Sequence, residues 1–439
     1  MRRRSFLSTT VMSVAAATAL SAWAMPASAR PRARPASGPV VLIDWDGIDP
    51  RYLDAHLDSR LPHLRSLSER GSRSTAACTY KAVSNPNRAG LATGARPRVH
   101  GNAAYVLDPA RGRVIGQTRD IAAETVAQSL RRQGRSVLSA GWYIIQDKGV
   151  SFGDPEGLYT QGDTWEDNVD TVVRVLRGLP VDSGGTEAQM PRVPDLIAVY
   201  AADIDALGHA DGPTSQRIPS RLAELDTGLG RITAAVREAG LQHDTTFVFV
   251  SDHGMTGYTE SVEPRVLGAL SATGHTVRRL HSGQEPDPGT EIVVTATPRA
   301  ANVYLRGAAD TPQGRERIKG ALRGVVELEA VHDRAALDSM GAAAAEGDFV
   351  VEARPPYAFV DPDAVDGRER GAHASLREAT VPLILSGAGA AKDHSPRKAR
   401  VIDVIPTISR LLGVEPPADA EGRVLTEALR PPFAASQSD

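Results

Sequence analysis

Short apolar runs that stop abruptly at acids constrain this chain more than any other feature. Val40-Val41-Leu42-Ile43 runs into Asp44-Trp45-Asp46-Gly47, Leu196 to Tyr200 into Asp203-Ile204-Asp205, and Thr246 to Val250 into Ser251-Asp252-His253. Ser136 to Ala140 and Val381 to Leu385 are runs of the same kind. Uninterrupted apolar runs of this length suit strands buried on both faces, as in parallel sheets. Between them, Leu61 to Arg70, Ile121 to Gln133, Trp165 to Leu176, Ile218 to Ala239 and Asp403 to Leu412 read as helices. The spacing is clearest in Leu222, Leu225, Leu229, Ile232 and Val236. The alternation predicts an α/β fold, a parallel sheet with helices on both faces. From Gly257 to Glu369 the pattern loosens. Strands over Ile292 to Thr295, Ala301 to Leu305 and Asp348 to Val351, with a helix over Thr311 to Leu322, predict a smaller inserted α+β lobe at about 257–369.

The amino terminus obeys a different logic. Arg3-Arg4-Ser5-Phe6-Leu7 is a twin-arginine pattern, followed by an uncharged Ala-rich run from Thr9 to Ala24 and a small-x-small cleavage site at Ala27-Ser28-Ala29. That run is too short and too rich in Ala and Ser to span a membrane, so no stable membrane anchor is expected. The expected organisation is a signal peptide over 1–29, a linker over 30–37, one large domain over 38–430 and a tail over 431–439. The destination is secreted or extracytoplasmic, reached in a folded state. Removing Arg2, Arg3 and Arg4 with the signal takes the formal charge from −3 to −6. A mildly acidic chain without basic runs does not need nucleic acid as a partner, and no protein partner is implied. Cys78 is the only cysteine, so the chain forms no internal disulfide.

In open α/β sheets ligands gather at the carboxyl ends of strands. Those ends carry Asp46, Asp205 with His209, Asp252 with His253, and His373 after Gly371-Ala372. Carboxylates mixed with imidazoles are a ligand set that zinc accepts in open sites. Ser84 adds a hydroxyl ahead of Asn85-Pro86-Asn87 and a small-residue stretch to Gly94. Pro86 fixes φ in the first turn of a helix there, and Asn87 is expected to satisfy its free amides. A helix N-terminus presents amide donors to an anion, which suits a serine attacking a phosphate or sulfate ester. His63, His243 and His394 are expected to be solvent-facing or structural.

The set, in this order, resembles the alkaline phosphatase superfamily, and most of all its nucleotide pyrophosphatase/phosphodiesterase branch, with phosphonoacetate hydrolase close by. The resemblance rests on Asp46-Gly47, the Ser84-x-Pro86-Asn87 loop with Thr93-Gly94 and His100-Gly101, and Asp205-x-x-Gly208-His209. Asp252-His253-Gly254, Gly371-Ala372-His373 and Asp403-x-x-Pro406-Thr407 complete it. It implies an alkaline-phosphatase-like fold and two zinc ions, with other divalent metals as substitutes. Asp205, His209 and His373 would hold one ion; Asp46, Asp252, His253 and Ser84 would hold the other. Ser84 would be the nucleophile, forming a phosphoseryl intermediate on a small-molecule phosphoester, nucleotides included.

Three departures set expectations for the structure. Ser84 stands where this branch usually has threonine. Tyr105 stands where relatives place an asparagine oxyanion donor, which leaves Asn102 as the substitute. Ser84-x-Pro86-x-Arg88 followed by Leu91-x-Thr93-Gly94 also matches a sulfatase signature, although the His-rich second metal set favours two zinc ions. Phosphomonoesterases of the superfamily carry a Lys-Asp-Arg element after the second apolar strand, and here it reads Gln146-Asp147-Lys148. One cation has become a neutral amide, which predicts diesters or pyrophosphates over monoesters, with Lys148 as a substrate contact. The alternatives are a phosphomonoesterase, a phosphonate hydrolase, a sulfatase and, outside the hydrolases, a metal-dependent phosphomutase.

Overall fold

The computed structural model describes residues 38–433; the expected signal peptide over 1–29, the whole of the expected linker over 30–37 and the end of the expected tail lie outside the described residues. Eight strands form the main sheet. In chain order they are β1 (Val40–Trp45), β2 (Gly71–Ala77), β3 (Val137–Ala140), β4 (Gly157–Thr160), β5 (Leu196–Ala201), β6 (Thr246–Val250), β7 (Thr380–Gly387) and β8 (Ala399–Arg400). Their spatial order is β8-β2-β7-β6-β1-β5-β3-β4.

Side chains alternate across the sheet. Val41, Ile43 and Trp45 of β1 face one layer with Trp165, Leu225, Leu229 and Phe249, while Val40 and Leu42 face the other with Leu91, Ile405 and Leu412. Both layers are built by the helices the periodicity predicts. Trp165–Leu176 and Arg217–Glu238 cover the first, and Val404–Leu412 the second. Trp45 locks the first layer edge-on against Trp165 and Phe249, with centroids 5.9 and 5.0 Å away.

β7 corrects the expectation of a purely parallel sheet, because it runs antiparallel to both β6 and β2. The inserted lobe leaves from the carboxyl end of β6 and returns to that same end. The next strand must therefore run back down the sheet. Three strands of the main sheet escape the sequence reading: the two-residue β8 is too short to make a run, and β2 and β4 are missed for a composition reason. β2 reads Gly-Ser-Arg-Ser-Thr-Ala-Ala and β4 Gly-Leu-Tyr-Thr, neither of them an apolar run.

The lobe hangs from a short antiparallel stem that pairs Thr256 with Ala372, Gly257 with Gly371 and Tyr258 with Arg370. It contains a five-stranded sheet and its own core around Val266, Leu270, Val294, Val303, Ile318 and Phe349. Its polar contacts to the main domain are specific. Thr295 Oγ1 and Asn302 Nδ2 donate to Tyr105 O at 2.6 and 3.2 Å, and Lys81 Nζ meets Glu346 at 2.9 Å with both side chains buried. Glu352 accepts from Leu376 N, just past His373. The lobe thus braces the loops that carry Ser84 and His373.

Candidate active site

Ser84 is the first residue of the helix Ser84–Thr93, whose ten residues are all buried. Asn87 does not cap that helix, contrary to the sequence expectation. Its Oδ1 accepts from Thr79 N and Thr79 Oγ1, and its Nδ2 donates to Lys81 O and Val83 O. It pins the loop behind the serine instead. The Ser84 hydroxyl sits 3.0 Å from His253 Nε2 at the carboxyl end of β6.

The turn after β1 is sewn to the turn after β6, where Gly47 N meets Asp252 Oδ1 at 3.3 Å and Ile48 N donates to Ser251 Oγ at 2.9 Å. Gly47 has φ +72, and a Cβ there would stand 2.9 Å from Asp205 Cα. Only glycine lets the Asp46 turn and the Asp205 helix approach this closely. Asp205 and His209 lie one turn apart on the helix Asp203–Asp211, so their side chains share a face, 3.3 Å apart.

The six predicted carboxylates and imidazoles converge. His253 Nε2 lies 3.3 Å from Asp46 Oδ1, 3.3 Å from Asp252 Oδ2 and 3.9 Å from Asp205 Oδ1, and His373 Nε2 lies 3.7 Å from Asp205 Oδ1. His253 and His373 stack with centroids 3.5 Å apart. The implied division of ligands gives His253 to the Asp46 and Asp252 set alone, whereas here it faces both sets.

The donor chemistry fits divalent metal ions. His209, His253 and His373 each pair Nδ1 with a backbone carbonyl, of Gly371, Gly254 and Ala82 respectively. That leaves each Nε2 facing the carboxylates, the orientation metal-binding histidines adopt. Asp46 Oδ1, Asp205 Oδ1 and Asp252 Oδ2 are buried without a hydrogen-bond donor. Unpaired carboxylate oxygens inside a protein are costly unless a cation meets them.

Charges in the cluster are strongly coupled. Burial pushes the His373 imidazole down to about 3, helped by His253, and burial also pushes His253 down. Burial works against charge on His209 too, but the Asp205 carboxylate outweighs it and raises His209 to about 9. Burial likewise favours neutral Asp205, yet the His209 imidazole 3.3 Å away, with His373 and His253 beside it, holds that carboxyl well below its ordinary range.

Arg88 is the residue the sequence reading did not place here. It is fully buried, with Nε donating to Asp44 Oδ2 at 3.0 Å and Nη1 to Tyr143 Oη at 2.9 Å. Its Nη2 lies 2.5 Å from Asp46 Oδ2 and 3.0 Å from Asp252 Oδ2, near enough for charge pairing though out of line for a hydrogen bond. The Tyr200 ring covers the guanidinium at 4.5 Å, and the Tyr200 hydroxyl donates to Asp46 Oδ2 at 2.6 Å. Three carboxylates therefore share one guanidinium, a deficit of positive charge that a bound cation would fill. The available signal was that Arg88 is the only charged residue in the helix Ser84–Thr93.

A sequence model of the family described as type I phosphodiesterase / nucleotide pyrophosphatase matches residues 40–376. This chain belongs to that family. It is 25% identical over 226 residues to an ectonucleotide pyrophosphatase/phosphodiesterase of Caenorhabditis elegans, covering 49% of this chain and 26% of that protein. It is 24% identical over 234 residues to ectonucleotide pyrophosphatase/phosphodiesterase family member 7 of Mus musculus, covering 49% of this chain and 50% of that protein. The chain thus spans half or less of the length of these curated relatives. Murine ectonucleotide pyrophosphatase/phosphodiesterase 5, in an inactive form in complex with AMP, has a similar fold, with TM-score 0.65 and 17% identity over 86% of this chain and 96% of that one. The human counterpart gives 0.64 and 18%, covering 86% of this chain and 95% of that one.

Within this phosphodiesterase-family site, the three expected substrate contacts are placed differently from one another. Asn102 spends both amide hydrogens on Thr118 O and Asp120 O, at 3.0 and 2.8 Å, so in this arrangement it has none for an oxyanion. Tyr105 packs beside Val83 under the lobe, with its own carbonyl engaged there. Lys148 is half-buried and is not among the residues lining the cleft that Tyr143 and Tyr200 border. That cleft, about 530 Å³, is lined by Tyr143, Tyr159, Trp165, Tyr200, Gln146 and Arg119 among others. Gln146 is indeed a neutral amide, but Arg119 Nη1 donates to its Oε1 at 2.6 Å, so a cation stands at this place after all. A second cavity of about 510 Å³ is lined by Arg70, Arg237 and Arg430; neither lining includes Ser84 or the six clustered carboxylates and imidazoles.

Proposed function

We propose that this chain is an exported, metal-dependent phosphodiesterase or nucleotide pyrophosphatase that works through a covalent phosphoserine at Ser84. The observation that carries the reading is the Ser84 hydroxyl 3.0 Å from His253 Nε2, inside a cluster where Asp46, Asp205 and Asp252 each keep a buried carboxylate oxygen without a hydrogen-bond donor. Asp46, Asp252, His253 and Ser84 would hold one zinc ion and Asp205, His209 and His373 the other. When bound, such a pair neutralises phosphoryl oxygens and lowers the barrier to removing a hydroxyl proton near neutral pH.

The chain's own residues supply orientation and exclusion of water. Ser84 Oγ bonds to phosphorus as the bond to the leaving oxygen breaks, and the leaving group departs with a proton. Water then cleaves the Oγ–phosphorus bond, releasing a phosphomonoester and restoring the hydroxyl. Asn87 and the buried helix fix Ser84 for that attack. Tyr200 and Arg88 orient Asp46, and the Tyr143–Tyr200 pair, 5.6 Å apart edge to face, forms an apolar wall for the substituent on phosphorus.

The test is a panel of bis-p-nitrophenyl phosphate, p-nitrophenyl phosphate, p-nitrophenyl sulfate and phosphonoacetate, with metal analysis. Fastest diester cleavage and two zinc ions per chain support the reading. Fastest monoester or phosphonoacetate cleavage would move it to those rivals, and formylglycine at position 84 by mass spectrometry would replace it with a sulfatase. Export follows from Arg3-Arg4 and Ala27-Ser28-Ala29, so Arg3→Lys with Arg4→Lys should abolish secretion. Mature protein starting at Arg30 outside cells of that double mutant would sink the twin-arginine route.

A further inference from the structure

Arg119, an exposed residue, is the only cation among the described residues lining the cleft that Tyr143 and Tyr200 border. It has no carboxylate partner there. Its Nη1 donates to Gln146 Oε1 at 2.6 Å and to Tyr143 O at 3.4 Å, and its Nε and Nη2 hydrogens are unspent. The cleft's two other acids do not claim it: Asp203 pairs with Arg221 at 2.6 Å, and Asp163 is exposed.

Its loop is anchored directly on the nucleophile helix. Gln117 Oε1 accepts from Asn85 N at 2.8 Å, and Thr118 O accepts from Asn85 Nδ2 at 2.8 Å. Tyr143 makes the same connection from the other side. Its hydroxyl donates to Asn85 Oδ1 at 2.7 Å while its carbonyl faces Arg119. Arg119 therefore stands about one tyrosine side chain away from the residue next to Ser84. A guanidinium held on one nitrogen, with its other donors free, is preorganised for a carboxylate or phosphate. The neutral Gln146 is part of the device, because a cation at 146 would repel Arg119.

We infer that Arg119 is a specificity-determining residue that receives a second anionic group of the substrate, remote from the reacting phosphorus. The substrate class is a phosphodiester whose cleft-bound substituent carries a further phosphate or carboxylate. The inference rests on the phosphodiesterase reading above.

Two probes separate the ideas: the p-nitrophenyl ester of thymidine 5′-phosphate, and the same ester carrying a 3′-phosphate. Wild type should favour the 3′-phosphorylated ester in kcat/KM by about ten- to a hundredfold, mostly through KM, as one charge-assisted contact allows. Arg119→Gln should bring that ratio close to one, and Arg119→Lys should restore part of it. Competitive inhibition by thymidine 3′,5′-bisphosphate relative to thymidine 5′-phosphate should follow the same order. A wild-type ratio near one, or a ratio that Arg119→Gln leaves unchanged, overturns the assignment of Arg119. Failure of both esters to react overturns the phosphodiesterase reading itself, and near-normal cleavage by Ser84→Ala overturns its covalent step.

Discussion

Arg88 Nε donates to Asp44 Oδ2 at 3.0 Å, and neither side chain has any exposure to water. Trp142 Nε1 donates to the same carboxylate oxygen at 2.9 Å. From that fixed point the guanidinium reaches Asp46 and Asp252, so the floor of the carboxylate–imidazole cluster is organised by a cation that belongs to the chain. Arg88→Met should therefore destabilise the metal-free protein by about 3–5 kcal/mol, because it strands buried carboxylates. Asp44→Asn combined with Arg88→Met should recover part of that loss. Urea unfolding in the presence of a chelator, run as a double-mutant cycle, measures both. Additive losses would show that the two residues do not act as a pair.

Ser84→Ala should lose several orders of magnitude in turnover while keeping its metal, since it removes only one oxygen from the cluster. Asp252→Asn or His373→Ala should lose metal together with activity. Metal content per chain, measured beside kcat for the three variants, separates the roles; near-normal turnover in Ser84→Ala would remove the covalent mechanism.

His100 sits outside the metal cluster, fully buried, with Nδ1 accepting from Asn102 N at 3.1 Å. Burial pushes its imidazole down to about 3 from an ordinary value of 6.5. Between those values the unfolded chain binds a proton that the folded chain refuses. Its contribution to stability is thus complete above pH 6.5 and is lost as the pH falls toward 3, at a slope of about 1.4 kcal/mol per pH unit. His100→Gln should flatten that part of the stability profile, and equal slopes for variant and wild type between pH 6 and 4 would refute it.

Lys81 and Glu346 join the loop before Ser84 to the inserted lobe through an ion pair at 2.9 Å with almost no exposure. Glu346→Gln should cost about 3–5 kcal/mol by leaving the ammonium unpaired. Lys81→Met with Glu346→Leu should be far milder, because both charges go together. Melting curves of the three proteins decide it. If the lobe also sets Ser84, kcat should fall in Glu346→Gln at temperatures where the protein remains folded.

Much of the site was legible because its chemistry is local. Asp205 and His209 share a helix face by spacing alone, and Asp252-His253 ends an apolar run whose burial puts it at a strand terminus. Residues that act through their surroundings were not legible. Arg88 reads as an ordinary helical arginine until three carboxylates from two strand ends close on it. Asn102 reads as a free amide until Thr118 and Asp120 take its hydrogens.

The sequence by itself determined the layered α/β architecture, the inserted lobe and which carboxylates and imidazoles stand at the strand ends, because periodicity and strand ends are properties of neighbouring residues. Tertiary structure alone decided the reversal of β7, the placing of His253 against both carboxylate sets, the countercharge from Arg88 and the cation beside Gln146. Each of these depends on where a returning segment or a distant loop comes to rest, and on the burial and charge it meets there, which no local pattern encodes.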